Sequence, residues 1–222
     1  GRLLAAAGVQ VDDAAIEAVL RRTGVPYRRL DDIADATAGL IAEGKVVGWF
    51  QGRMEAGPRA LGGRSIVADP RQAAMRDIVN DKVKFRERWR PFALSILAEK
   101  ATDYLVDAVD APFMVMAFEV LPGRESEIAG ALHPADNTTR PQTVRREVNP
   151  LFWSLIEGFR RRTGVPGVLN TSFNVKGEPI VCSPTDALRC FYGSGMDALA
   201  IGNFLLEKPE ISRAHGELLA GR

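Results

Sequence analysis

The chain has 222 residues, 46% of them hydrophobic, with 29 basic and 28 acidic side chains and a formal net charge of +1. That is enough to bury a sizeable core as one large domain or two small ones. The near-neutral balance argues against blanket nucleic-acid binding, which needs a basic excess over a whole face, and two histidines, His133 and His215, exclude a histidine-rich metal site within the chain.

Cys182 and Cys190 form no C-x-x-C pair. They suggest a reducing compartment and read as small core residues. No apolar run is long enough to span a bilayer and no signal peptide is evident, so the expected location is cytoplasmic. The chain begins with Gly rather than Met, which points to a fragment of something longer.

Asp12-Asp13 followed by Ile16, Val19 and Leu20 predicts a capped helix ended by Gly24. Asp31-Asp32 opens a second, with Ile33, Ala34, Ala38, Leu40 and Ile41 at helical spacing and a stop at Gly44. Lys45 to Phe50 then reads as a buried strand. Gly39 to Lys45 spells G-x-x-x-x-G-K, but Val46 stands where a P-loop needs Ser or Thr, and the order is helix to strand instead of strand to helix. That lead is rejected.

Gly52 to Ser65 holds four glycines, a proline and the cations Arg53, Arg59 and Arg64. It predicts a loop whose backbone approaches a ligand closely. A helix over Pro70 to Val79 leads into Asp81 to Pro91, where Lys82, Lys84, Arg86, Arg88 and Arg90 alternate with Val83, Phe85 and Trp89. Read as extended, this stretch has one basic and one apolar face, and Pro91 supports it by holding Arg90 out of helical dihedrals. A basic face backed by core suits a small polyanion, since Arg grips phosphate or carboxylate oxygens.

Phe92 to Leu97 is a predicted strand. Phe113 to Val120 is another, its continuous apolarity implying burial on both faces. Glu125 to Leu132 reads as a short helix, and Asn149 to Thr163 as an amphipathic helix stopped by Gly164. Val165 to Leu169 is a short strand from which Asn170, Thr171, Ser172 and Asn174 emerge, in the crevice beyond a strand's carboxyl end where open α/β sheets place ligands. Ser183 caps a helix with Pro184 at its first position, and Asp197 to Glu207 closes as a hairpin around Gly202-Asn203. The alternation makes the class α/β or α+β, a single domain with a sheet and flanking helices.

The motifs Gly52-Arg53-Met54-Glu55-x-Gly57-Pro58-Arg59-Ala60-Leu61-Gly62-x-Arg64-Ser65, Lys84-x-Arg86-Glu87-x-x-Arg90-Pro91-Phe92-Ala93, Thr138-x-Arg140-x-Gln142-Thr143-Val144 and Leu169-Asn170-Thr171-Ser172-Phe173-Asn174-x-x-Gly177-Glu178-Pro179-Ile180 resemble the carboxy-terminal domain of the O-carbamoyltransferases. That family includes nodulation protein U and antibiotic-tailoring enzymes. The resemblance runs from about Gly44 to Leu206. It implies a YrdC-like twisted mixed sheet over 31–222, with 1–30 as a lead-in helix and connection from a separate amino-terminal domain.

The resemblance further implies that such a domain binds carbamoyl phosphate and ATP, with Mg²⁺ accompanying the nucleotide, and makes carbamoyl adenylate. The amino-terminal partner domain, which carries its own metal, then moves the carbamoyl group to an acceptor hydroxyl. By match to the motifs, Arg59, Lys84, Arg90 and Arg140 contact phosphate and carbamoyl groups. Asn170, Ser172 and Asn174 add hydrogen bonds, and Arg53 and Arg64 either join them or brace the loop. No protein-held metal is implied in this part, and no membrane partner.

Carbamate is already an anion, so the chemistry needs positioning and charge neutralisation more than a general base. Lys84 and Arg90 lie roughly 20 Å apart on an extended strand at about 3.3 Å per residue. Both reach one phosphate cluster only if the chain bends near Glu87 and Arg88. Two other readings stand beside this one. They are a stand-alone threonylcarbamoyl-adenylate synthase-like enzyme, and an RNA-binding module whose Phe85 and Trp89 stack on bases.

Overall fold

A computed structural model describes residues 8, 10–85, 87 and 90–208. Its helices are α1 (Asp13–Thr23), α2 (Ile33–Ala42), α3 (Ala74–Val79), α4 (Pro150–Thr163) and α5 (Pro184–Tyr192). Its strands are β1 (Arg28–Arg29), β2 (Val47–Phe50), β3 (Arg64–Ala68), β4 (Ala93–Leu97), β5 (Phe118–Glu119), β6 (Thr138–Thr139), β7 (Gln142–Val144), β8 (Gly167–Ser172), β9 (Ala198–Ile201) and β10 (Phe204–Glu207).

The helix ends follow the caps. Asp12, Asp32, Asn149 and Ser183 each accept a hydrogen bond from the backbone N–H three residues on. Gly24 and Gly164 close α1 and α4 in the left-handed conformation. In α4, Phe152, Leu155, Ile156 and Phe159 fall on one face and are fully buried, each contributing about 2 kcal/mol of apolar burial. Helix α4 lies against α2, β4 and β8, while α5 packs against β2, β9 and α1.

Eight strands form one mixed sheet in the order β1-β10-β9-β2-β3-β8-β4-β7, and β5 and β6 make a separate pair. Strands β2 and β9 run parallel, as do β4 and β7; the other pairings are antiparallel. The register sets Asn170 opposite Val67 on one side and Ala93 on the other, with Ser95 opposite Gln142 one strand further. Asn170, Ser95 and Gln142 therefore share a face across three neighbouring strands. Residues before 31 are built into the same core: Ile16 and Leu20 are buried, and β1 pairs with β10.

Several segments differ from the sequence expectations. The cation run is not a strand: α3 continues into a π-helical turn, Asn80–Lys84, that Phe85 ends at φ 45°. A helical turn spreads consecutive residues around its circumference, so Val83 and Lys84 are both buried while Phe85 is 57% exposed. Tertiary contacts select this form, with Lys82 paired to Asp197 at 2.9 Å and Lys84 bonded to the end of β8. The chain turns again where the Arg90 N–H donates to the Glu87 carbonyl at 3.2 Å; Arg86, Arg88 and Trp89 lie outside the described residues.

Phe113 to Val120 is not a doubly buried strand. Pairing is confined to its end, Phe118–Glu119 with β6 and Val120 bridged to Leu105, while Met114 sits at φ 56° and Val115 and Met116 face solvent. Helix 125–132 resolves into two 3₁₀ turns. Strand β8 extends through Ser172, so Asn170 lies within the sheet and not beyond it. Cys190 is core, burial pushing its thiol up to about 11, whereas Cys182 is exposed in the turn before the α5 cap. No helix among the described residues is long and apolar enough to cross a membrane.

Helices α2 and α4 are joined by Asp35, whose carboxylate takes hydrogen bonds from Arg162 and Arg161 at 2.7–2.9 Å. The Arg162 bonds, with help from Arg161, lower its pKa from 3.8 to about 2. A depressed carboxyl pKa stabilises the fold above the unfolded value and ceases to do so as pH falls through the folded value. Asp35→Asn is expected to lower stability by about 0.5 kcal/mol at pH 7, after discounting for solvent screening. In thermal melts the difference from wild type narrows between pH 4 and pH 2 and disappears below that.

Candidate functional site

The glycine loop between β2 and β3 is organised by two buried charges. Arg64 is fully buried and donates to the carbonyls of Gln51, Gly63 and Gly52 at 2.9–3.2 Å. Its guanidinium lies 3.6 Å from the Phe50 ring centroid. Desolvation pulls its pKa down to about 10 in spite of nearby Glu55. From the other side, Oε1 of Glu55 accepts the backbone N–H groups of Leu61 and Gly63, both at 2.7 Å. Gly62 must be glycine: at φ 100° a Cβ would stand 2.4 Å from the Phe152 ring, and its carbonyl accepts Trp49 Nε1 at 2.9 Å.

The loop so held presents Arg59 to a hollow of about 100 Å³ where β8 ends and β4 begins. Arg140, from the link between β6 and β7, reaches the same hollow; Asn170, Ser172, Phe92 and Met114 complete its wall. Arg59 and Arg140 have no hydrogen-bond or ion-pair partner among the described residues. Beneath them, Asn170 Nδ2 donates to Ala60 O, Ser95 Oγ and Gln142 Oε1 at 2.9–3.2 Å, and Gln142 Nε2 donates to Leu61 O at 2.9 Å. The sheet thus fixes the loop through amide groups.

Lys84 lies just behind this wall. Its Nζ donates to the Ser172 carbonyl and hydroxyl and to both oxygens of Asn174, at 2.5–3.1 Å. It therefore orients Ser172 and does not itself line the hollow. Arg90 is half exposed and pairs loosely with Glu87 at 3.7 Å; it follows the chain to Pro91 on the rim but is not part of the wall. Arg53 lies apart, its backbone bridged to Gln10. Arg64 braces the loop.

A larger cavity, about 560 Å³, opens at the opposite end of β4 and β8. Its cations are already neutralised: Arg71 by Asp69, Lys100 by Asp103, Arg124 by Glu127 and Arg160 by Glu157. None of the candidate site residues named from the sequence lines it. The small hollow with unneutralised arginines is the better candidate, because an anion gains most where no carboxylate competes for the cation. No carboxylate lines that hollow, and no cluster of three metal-ligating side chains occurs among the described residues.

The "Carbamoyltransferase C-terminus" family model matches residues 38–208. The chain belongs to that family. Nodulation protein NolNO of Sinorhizobium fredii is 47% identical over 203 residues, covering 88% of this chain and 29% of that protein. The uncharacterized protein sll1178 of Synechocystis sp. is 44% identical over 201 residues, covering 82% and 33%. The 3'-hydroxymethylcephem-O-carbamoyltransferase of Amycolatopsis lactamdurans is 34% identical over 176 residues, covering 79% and 33%. The chain thus spans about a third of the length of the curated relatives it matches.

Among solved structures, full-length HypF in its phosphate- and nucleotide-bound form superposes with a TM-score of 0.52 at 19% identity, covering 82% of this chain and 22% of that one. P. abyssi Sua5 complexed with L-threonine gives 0.52 at 18%, covering 76% and 46%. At those identities the likeness is one of fold, and the YrdC-like mixed α/β architecture is the one the sequence resemblance implies.

Within this carbamoyltransferase C-terminal domain, sequence reasoning missed three structural supports of the hollow: Glu55, Ser95 and Gln142. Glu55 carried a signal, as the only acidic residue between Gly52 and Ser65. Ser95 carried none, because its role depends on strand register. Glu55→Ala is expected to strand two buried N–H groups and cost about 2–3 kcal/mol. Urea denaturation should read that loss, and amide exchange at Leu61 and Gly63 should accelerate. Unchanged exchange there would mean that the loop is held by other contacts.

Proposed function

We propose that this carbamoyltransferase C-terminal domain binds carbamoyl phosphate and ATP at the hollow and forms carbamoyl adenylate. A separate amino-terminal domain then passes the carbamoyl group to an acceptor hydroxyl. The observation that carries the reading is the convergence of Arg59 and Arg140, both without partners among the described residues, beside Ser172 and Asn170. The family match and the length of the relatives, about three times that of this chain, support the division of labour.

A hollow of about 100 Å³ lies below the roughly 300 Å³ of pockets that enclose drug-sized ligands. It suits a carbamoyl group with one phosphate. The nucleotide would lie across the open rim, where Arg59 and Arg140 are exposed. Water cleaves carbamoyl phosphate to carbamate and phosphate. A carbamate oxygen then attacks the α-phosphorus of ATP, the bond to the β-phosphate breaks, and pyrophosphate leaves. Arg59 and Arg140 neutralise phosphate oxygens in both steps.

Lys84 and Asn174 hold Ser172 in the wall: its hydroxyl accepts from Lys84 Nζ at 3.1 Å and donates to Asn174 Oδ1 at 2.7 Å. Arg90 is placed to exchange its loose Glu87 contact for a phosphate. Mg²⁺ does not fit a protein-held site here, since the wall offers no carboxylate; phosphate oxygens of the nucleotide would carry it.

Exchange of labelled pyrophosphate into ATP tests the reading. It should require carbamoyl phosphate, and Arg59→Ala or Arg140→Ala should each lower the rate about 10²- to 10³-fold while melting temperature is preserved. Exchange that ignores carbamoyl phosphate, or survives both substitutions, would sink the proposal.

A further inference from the structure

We infer that the side-chain oxygen of Asn170 recognises the NH₂ group of a carbamoyl substrate and selects carbamoyl phosphate over acyl phosphates that have no N–H. The inference rests on the function proposed above and adds a specificity-determining residue to it.

Asn170 is 1% exposed and forms part of the hollow's wall. Which end of its amide is nitrogen is fixed by its neighbours. The Ala60 carbonyl, 3.2 Å away, can only accept. Ser95 gives its own proton to Gln142 Oε1 at 2.8 Å, so toward Asn170 at 2.9 Å its oxygen is an acceptor. Gln142 spends its NH₂ on Leu61 O and turns Oε1 to Asn170. Rotating the Asn170 amide by half a turn would set oxygen against oxygen at all three contacts.

With Nδ2 so engaged, Oδ1 is buried and has no hydrogen-bond partner among the described residues. A buried acceptor without a donor is costly, and each such group calls for an explanation. Every other polar atom of this small network is paired. The missing donor is one that arrives with the ligand.

The chemistry of the wall says which donor. Arg59 and Arg140 offer only N–H groups, which match phosphate oxygens. Asn170 Oδ1 is the opposite kind of group and matches an N–H. Carbamoyl phosphate has one group of that kind, its NH₂. Acetyl phosphate has the same shape with a methyl in its place, and would leave Oδ1 unpaired. Sites built to bond a substrate N–H reject the analogue lacking it far better than apolar pockets reject a missing methylene.

The experiment compares carbamoyl phosphate with acetyl phosphate as the activating substrate in pyrophosphate exchange, using the full chain. The wild type should favour carbamoyl phosphate by about 10²-fold or more in kcat/KM. Asn170→Ala should narrow that ratio at least tenfold while the KM for ATP stays put. Ser95→Ala, a gentler change that frees one of the three contacts orienting the amide, should narrow it partway.

Equal use of the two acyl phosphates by the wild type would overturn the inference even if the Asn170 variant does not fold. So would an Asn170→Ala enzyme whose ATP KM rises with the acyl ratio intact, since the donor would then belong to the nucleotide. A wild type with no exchange from either substrate is a different result: it defeats the proposed function, and the inference with it.

Discussion

A guanidinium with no access to water is an expensive thing to keep charged, and Arg64 is held in that state by three backbone carbonyls and an aromatic face. Those carbonyls belong to the two ends of the glycine loop. The loop therefore cannot open without exposing an unpaired buried cation. Glu55 completes the constraint from within by taking two of the loop's own N–H groups. Everything the hollow presents from this side, Arg59 above all, stands on a backbone made rigid by opposite charges that never meet in a simple ion pair.

The second fixed wall is β8. Its six residues run between β3 and β4, and the strand delivers Asn170 and Ser172 to the hollow at alternate positions on one face. Asn170 ties this strand to the glycine loop directly at the Ala60 carbonyl, and Gln142, bonded to Asn170 and Ser95, does so at the Leu61 carbonyl. Lys84 ties it to the π-helical turn. A strand in the middle of a sheet is among the least mobile parts of a domain. Preorganised donors and acceptors are what a reaction without a general base requires.

Local signals told much of this in advance. Helix α4 was legible because its apolar residues recur at helical spacing between Asn149 and Gly164, which are its actual caps. The glycine loop was legible as a loop, and four separated motifs foretold the family. The cation run was not. Alternate cations fit an extended chain and a helical turn about equally well, and the choice was made by partners more than 100 residues away, such as Asp197 for Lys82. Likewise Phe113 to Val120 is apolar enough for a buried strand, but no neighbouring strand is available to Val115 and Met116. Roles set by register, as for Ser95, have no local trace at all.

The two outermost strands of the large sheet are also its shortest among the described residues: two residues at β1 and three at β7. An open sheet border is a template on which another chain can add itself, and the hazard grows with the length of backbone left unpaired. Here a passing polypeptide finds room for only a few ladder bonds, too few to offset the loss of its own freedom. At β1 the offered residues are Arg28 and Arg29, both solvent-exposed and paired with Glu207 and Asp13 of the same chain, so no apolar surface invites a neighbour. The same brevity that leaves these borders marginal as structure makes the domain a poor nucleus for fibrous self-association.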